Sequence, residues 1–214
     1  MKRVTFLIDG FNLYHSVKQA SVDLKLGGRD TKWLDIDSLC RAYLYLFGKA
    51  AHLEEIYYFS ALATHLQAVK PDVTQRHSVY IAALESKGIK VELGRFKMKT
   101  IRCDYCGKMI TRHEEKETDV AISARLLEIL MTNKCDTAVL VTGDTDLAAG
   151  VKVAQKLFPQ KEICFTFPYG RKNKELAQLV NTSFQISKKS YTTHQFPDPI
   201  VLKDGRSLTK PAKW

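Results

Sequence analysis

Short apolar runs alternate along this chain with longer stretches whose apolar residues recur at helical spacing. Residues 3–9 read as a buried strand, and 12–20 as a short helix behind an Asp9-Gly10 turn. Residues 21–34, which include Gly27 and Gly28, read as a loop. A helix with Asp35 or Asp37 near its start carries Leu39, Tyr43, Leu46 and Phe47 on one face, and a strand at 55–60 follows. Pro71 opens a longer helix through Val73, His77, Tyr80, Ile81 and Leu84, which Lys87-Gly88 ends before a strand at 89–94. Residues 95–114 are the least regular and read as a hairpin or extended arm with Cys103 and Cys106 at its turn. Val120, Ala124, Leu127 and Met131 mark a helix over 119–131, and a strand at 137–142 comes next. Leu147, Val151, Ala154 and Phe158 give the following helix one apolar stripe. A strand at 163–167, a short helix at 173–180 and a last strand at 184–187 complete the pattern.

This alternation predicts an α/β domain over 1–187, with a mostly parallel sheet and helices on both faces, because right-handed crossovers lay each helix against the sheet. The arm at 95–114 lies inside that domain. Beyond Ser187 the charge rises, Pro197, Pro199 and Pro211 appear and periodicity fades, so 188–214 is expected to be a basic tail, partly extended or disordered.

The predicted topology opens every loop after a strand on one edge, and two of those loops are acidic. IDGFN puts Asp9 and Asn12 just past one strand, and VTGDTD puts Asp144 and Asp146 just past another. Parallel strands would bring them to a single rim, where open α/β sheets bind ligands. Asp119, at the start of its helix, is a further candidate. Mg²⁺ and Mn²⁺ take hard oxygen ligands from several elements, and neighbouring carboxylates repel one another without a cation, so Asp9, Asp119, Asp144 and Asp146 are candidate metal ligands and catalytic groups. Asn12 would ligate or orient a water. Each acid also has a purely structural reading: a turn at Asp9-Gly10, a helix cap at Asp144, a favourable helix-start charge at Asp146 or Asp119.

A net charge of +10 changes the picture of the substrate. Residues 87–116 hold nine Lys or Arg against four acids, and 171–214 nine against three, so the excess is concentrated in two segments. Dispersed solvation accounts for many charge runs. In GRFKMKTIRCDYCGKMITRH, however, basic and aromatic residues interleave, as phosphate attraction combined with base stacking requires. Lys97, Lys99, Arg102, Arg112 and Lys116 are the candidate nucleic-acid contacts.

Five cysteines, with Cys103 and Cys106 alone closely spaced, fit a reducing cytoplasm better than a disulfide framework. CDYCG has the form of a zinc knuckle, yet tetrahedral zinc needs four ligands. His113 is a candidate third, and Cys135 or a second subunit a fourth, so a dimer stays open; free thiols at a hairpin turn are the preferred reading. The apolar run ending at Asp9 is too short for a membrane span or a signal segment. DGFNLY is not a dinucleotide loop, Phe11 stands where an aspartyl phosphotransferase carries its second acid, and no Walker loop or GxSxG elbow occurs.

IDGFNLY at 8–14, EEKETDVAIS at 114–123 and VTGDTDLAAGVKVAQ at 141–155 resemble the three signature segments of the NYN domain, a branch of the PIN-like nuclease superfamily, in its bacterial LabA-like or DUF88 group. FPDPIVLKDGRSLTKPAKW is similar to the C-terminal segment of bacterial members. The resemblance implies a three-layer, Rossmann-like α/β/α fold with an acidic pocket for Mg²⁺ or Mn²⁺, and RNA as substrate. It carries the family's acids onto Asp9, Asp119, Asp144 and Asp146 and its Asn onto Asn12. Where many relatives have another acid, six residues after Asp119, this chain has Arg125, which would weaken a second metal site or supply a phosphate contact. The leading expectation is a metal-dependent ribonuclease on single-stranded or loosely structured RNA. The alternatives are a non-catalytic RNA-binding module and a phosphohydrolase for small nucleotides.

Overall fold

Val4, Phe6 and Ile8 turn to one side of the first strand and Leu7 to the other, and both sides are buried. Burial on both faces is what a continuous apolar run in a parallel sheet requires, and it sets β1 (Lys2–Asp9) at the middle of the sheet. The computed structural model describes residues 1–26 and 31–212. To one side of β1 lie β2 (Ala51–Ala61), β3 (Lys90–Arg102) and β4 (Met109–Lys116); to the other lie β5 (Thr137–Val141), β6 (Glu162–Phe167) and β7 (Thr182–Gln185). Every neighbouring pair is parallel except β3 and β4.

Helices α1 (Gly10–Asp23), α2 (Ile36–Ala42) and α3 (Val73–Ser86) cover one face through Leu13, Val17, Leu39 and Leu84. Helices α4 (Thr118–Met131), α5 (Ala148–Leu157) and α6 (Lys174–Leu179) cover the other through Ile122, Leu126, Val151 and Leu176. The result is the expected α/β/α sandwich. Its strand order runs outward in opposite directions from β1, so the topological switch point lies between β1 and β5, the place where such sheets leave a ligand crevice.

Several boundaries differ from the sequence reading. Helix α1 runs on to Asp23 because Ala20 and Ser21 are still on its buried face; Gly27 and Gly28 lie outside the described residues. Leu44–Phe47 forms a separate 3₁₀ turn behind α2, which leaves Leu46 39% exposed rather than on a common stripe. The last long strand sits at 182–185 instead of 184–187, with Phe184 packed on Tyr43 and Phe47 at 5.5 and 5.9 Å. Strand β3 does not stop at 94 but continues through the basic arm, paired with β4 in one antiparallel ribbon from Arg95↔Lys116 to Arg102↔Met109.

The segment after Ser187, expected to be a tail, is built into the core. Tyr191, Phe196 and Ile200 are buried. The backbone N–H of Phe196 donates to Trp33 at 2.9 Å, that of Asp35 donates to His194 at 3.0 Å, and the Trp33 indole donates to Pro197 at 3.2 Å. Single large anchors a few residues apart bury area without any 2.0 or 3.6 period, so the hydrophobic pattern carries no sign of them. Lys213 and Trp214 lie outside the described residues.

Candidate active site

Asp9 ends β1 and caps α1. Its Oδ1 accepts the Asn12 backbone N–H at 2.9 Å, an N-cap that satisfies one orphan donor of the helix. Its Oδ2 accepts the Thr142 hydroxyl at 2.8 Å, across the switch point from the end of β5. Gly10 follows without a side chain because a Cβ there would lie 2.6 Å from the Phe59 carbonyl oxygen. Asp9 is 5% exposed. Burial pushes its carboxyl up to about 6; the two hydrogen bonds oppose that rise, and the charges of Glu115 and Asp144 add to it.

The loop after β5 is held by a relay of short polar contacts. Thr142 Oγ1 accepts the Asp144 N–H at 3.1 Å while donating to Asp9, and Asn12 Oδ1 accepts the Gly143 N–H at 3.1 Å. A Cβ on Gly143 would stand 2.2 Å from the Arg171 carbonyl oxygen, so only glycine lets this loop pass. Asp144 then caps the turn that follows, accepting the Asp146 N–H at 3.1 Å. Asn12 therefore acts on the loop that carries Asp144, and the capping reading of Asp144 holds alongside any role at the rim.

Asp119 arrives from the first turn of α4 on the opposite helical layer. Burial raises its carboxyl to about 6, followed by repulsion from Asp144, Asp9 and Asp146 in that order. A strand end, a helix start and a loop from three parts of the chain thus put their carboxylates close to one another. Asp144 is half-buried and Asp146 exposed. A fifth acid, Glu115 on β4, was not among the sequence candidates. It accepts the Thr118 hydroxyl at 2.6 Å, its carboxyl is raised by burial, and its charge acts on Asp9. Its partner across the ribbon is Phe96, so strand alternation turns Glu115 inward while Glu114 faces solvent and pairs with Lys99 and Lys116 at 3.3 and 2.9 Å. Among the described residues, no three His, Cys, Asp or Glu side chains close into a ready-made metal cage.

Residues 3–187 match the NYN domain. The chain belongs to the NYN domain family. That family is a branch of the PIN-like nuclease superfamily, and the sheet order and layers described above are consistent with its Rossmann-type fold. Among solved structures, this NYN chain is similar to a protein of unknown function from Vibrio parahaemolyticus, at 18% identity and a TM-score of 0.54, over 87% of this chain and 93% of that one. That likeness concerns the fold. No curated protein is a significant match to the chain.

The basic candidates of the NYN domain separate by the pleat of the ribbon. Lys97, Lys99, Arg112 and Lys116 share one face, with Lys99 directly opposite Arg112. Arg102 lies on the other face, donating to the Gly107 carbonyl at 3.3 Å. Arg125 is engaged within the fold: it donates to Glu92 at 2.8 Å and Glu128 at 2.5 Å and covers the Tyr57 ring, so its charge is compensated there rather than offered to a phosphate. The three-ligand zinc set fails on distance. His113 pairs with Met98, four residue pairs down the ribbon from Arg102↔Met109 and the turn bearing Cys103 and Cys106, roughly 13 Å away by strand rise. It stacks instead on His65 at 4.2 Å. Cys135 is buried in the core on the α4 side of the sheet. No helix among the described residues is long and apolar enough to cross a membrane.

Proposed function

We propose that this NYN domain protein is a divalent-metal-dependent ribonuclease that cleaves single-stranded or loosely structured RNA. The observation that carries the reading is the gathering of Asp9, Asp119 and Asp144 at the β1–β5 switch point, where burial raises the carboxyls of Asp9 and Asp119 and the charge of Asp144 adds to the rise at both. Burying several like charges costs stability that a cation would offset. Mg²⁺ and Mn²⁺ suit an open rim of this kind, because they keep several waters and take only one or two carboxylates directly. Asp9, Asp119 and Asp144 would hold the ion, some directly and the rest through its waters, with Glu115 and Asp146 in supporting positions.

When bound, such an ion would polarise a phosphoryl oxygen and make a water a better nucleophile. The protein's own groups do the rest. Thr142 and the Asn12 N–H hold both oxygens of Asp9 in one orientation, Asn12 fixes the Asp144 loop, and Lys97, Lys99, Arg112 and Lys116, on the ribbon face turned away from Glu115, attract the polyanion as a field rather than by lining the rim. All five cysteines are free thiols, which fits work in the reducing cytoplasm.

The test is a Mn²⁺ titration of purified protein against labelled RNA and DNA strands, with Asp144→Asn as control. Wild type is expected to cleave RNA only with added metal, and the variant to bind RNA but lose cleavage by at least about 100-fold. Equal cleavage by both proteins would trace the activity to a contaminant.

A further inference from the structure

Next to the acidic rim the fold leaves a cavity of about 470 Å³, within the range of small-ligand sites. Gly10 and Tyr58 form the boundary between them: Gly10 follows Asp9 in the chain, and the buried Tyr58 phenol feels the charges of Asp9 and Glu115. The floor is apolar, made by Leu13, Val17, Leu34 and Tyr80. Tyr80 donates its hydroxyl to the Leu34 carbonyl at 2.8 Å, which ties α3 to the segment strapped by the C-terminal residues.

Flat rings flank this floor. On the ribbon side His65 stacks on His113, with 11° between their planes, and meets Phe96 at 4.6 Å. On the α1 side Phe11 and Tyr14 line the cavity and stay 46% and 45% exposed, with the His15 ring set edge-on to them at 4.4 and 5.7 Å. Hydrogen-bonding groups sit between the rings: Ser60 and His77, whose hydroxyl and Nε2 are 3.4 Å apart, both line the cavity. Lys32 and Arg76 add positive charge to the wall. The Lys32 ammonium is lowered by burial and by the nearby charges of Lys18, Arg76 and Lys210, so cations crowd this side even though Arg76 also pairs with Asp72.

Ring faces, a few polar groups, crowded cations and an adjoining row of carboxylates are together the complement of a nucleotide within a strand. A lone phosphate would leave the rings unused, and an aliphatic ligand would leave the cations unused. We propose that the cavity receives one unstacked nucleobase of a single-stranded polynucleotide, held between the Phe11–Tyr14 lip and the His65–His113–Phe96 stack, with a neighbouring phosphodiester over the acidic rim. Stacking of splayed-out bases on aromatic and histidine rings is the common way in which single-stranded RNA is recognised. The placement of the phosphodiester rests on the nuclease reading; the base pocket can be tested without it.

The experiment uses the full chain in chelator, where no turnover occurs, and measures binding of a short labelled RNA and of an abasic strand of the same length by fluorescence anisotropy. Wild type is expected to prefer the base-bearing strand by about 5- to 100-fold. Phe96→Ala, which removes a half-exposed ring, and Ala63→Trp, which fills the cavity, are each expected to erase most of that preference while leaving affinity for the abasic strand unchanged. A wild type that does not discriminate, or an Ala63→Trp variant that still does, would overturn the assignment. So would a nucleoside monophosphate that binds as tightly as the strand, since the occupant would then be a free nucleotide. Base preference without metal-stimulated cleavage would sink the nuclease reading and support the pocket; cleavage without base preference would do the reverse.

Discussion

The Thr142 hydroxyl donates to Asp9 Oδ2 at 2.8 Å while accepting the Asp144 N–H at 3.1 Å. One buried oxygen thereby sets the spacing between the first acid and the loop of the third. Replacing Thr142 by Val removes both contacts from a site that is 1% exposed. The expected loss is about 2 kcal/mol of stability in chemical denaturation, together with reduced cleavage. Thr142→Ser, which keeps the hydroxyl, should recover most of both; failure of the Ser variant to recover activity would show that the hydroxyl does not organise the rim.

Asp9 makes the metal-free protein pH-sensitive in a definite direction. Its folded carboxyl sits at about 6 against an ordinary 3.8, so the fold holds this proton more tightly than the unfolded chain does. The associated stabilisation is complete below the ordinary value and is lost as pH rises through about 6. Asp9→Asn removes that loss and keeps an acceptor for the Asn12 N–H. In chelator the variant should be more stable than wild type by roughly 2 kcal/mol at neutral pH, with the gap closing toward pH 4. Parallel denaturation-midpoint curves for the two proteins between pH 4 and 8 would contradict it.

Glu115 predicts a metal phenotype at a position outside the four aspartates. Glu115→Gln retains an acceptor for the Thr118 hydroxyl and removes a negative charge that acts on Asp9. The Mn²⁺ concentration for half-maximal cleavage should rise about 10-fold, with little change in thermal stability. An unchanged metal requirement would remove Glu115 from the site.

The positive charge of the ribbon predicts how binding responds to salt. Combined Lys97→Ala, Lys99→Ala and Arg112→Ala should lower the slope of log affinity against log salt by about 2. Arg102→Ala, which removes one charge from the face that carries Phe96, His113 and Glu115, should lower it by less than about 1. A slope unchanged by the triple substitution would remove the ribbon from the nucleic-acid interface.

Much of this arrangement is legible before folding is considered. Double-sided apolar runs announce the parallel strands, and an Asp-Gly or Gly-Asp step at their ends announces acids at a rim. The NYN motifs name Asp9, Asn12, Asp119 and Asp144 in order. Glu115 is not legible in the same way: EE at 114–115 offers two equal carboxylates, and only the pairing of Phe96 with Glu115 decides which one turns inward. Arg125 reads as a free cation in sequence, although Glu92, 33 positions away, is already its partner.

Local chemistry determines the strands, the helix caps and the residue types at the rim, because hydrophobic period, turn preference and capping act over a few residues. The fold decides what lies opposite what: Thr142 against Asp9, Glu115 toward the acids and Glu114 away, His113 on His65 rather than beside the cysteines, and Tyr191, Phe196 and Ile200 in the core instead of a tail. Those outcomes depend on register and on contacts between distant segments, and neither leaves a periodic trace in the chain.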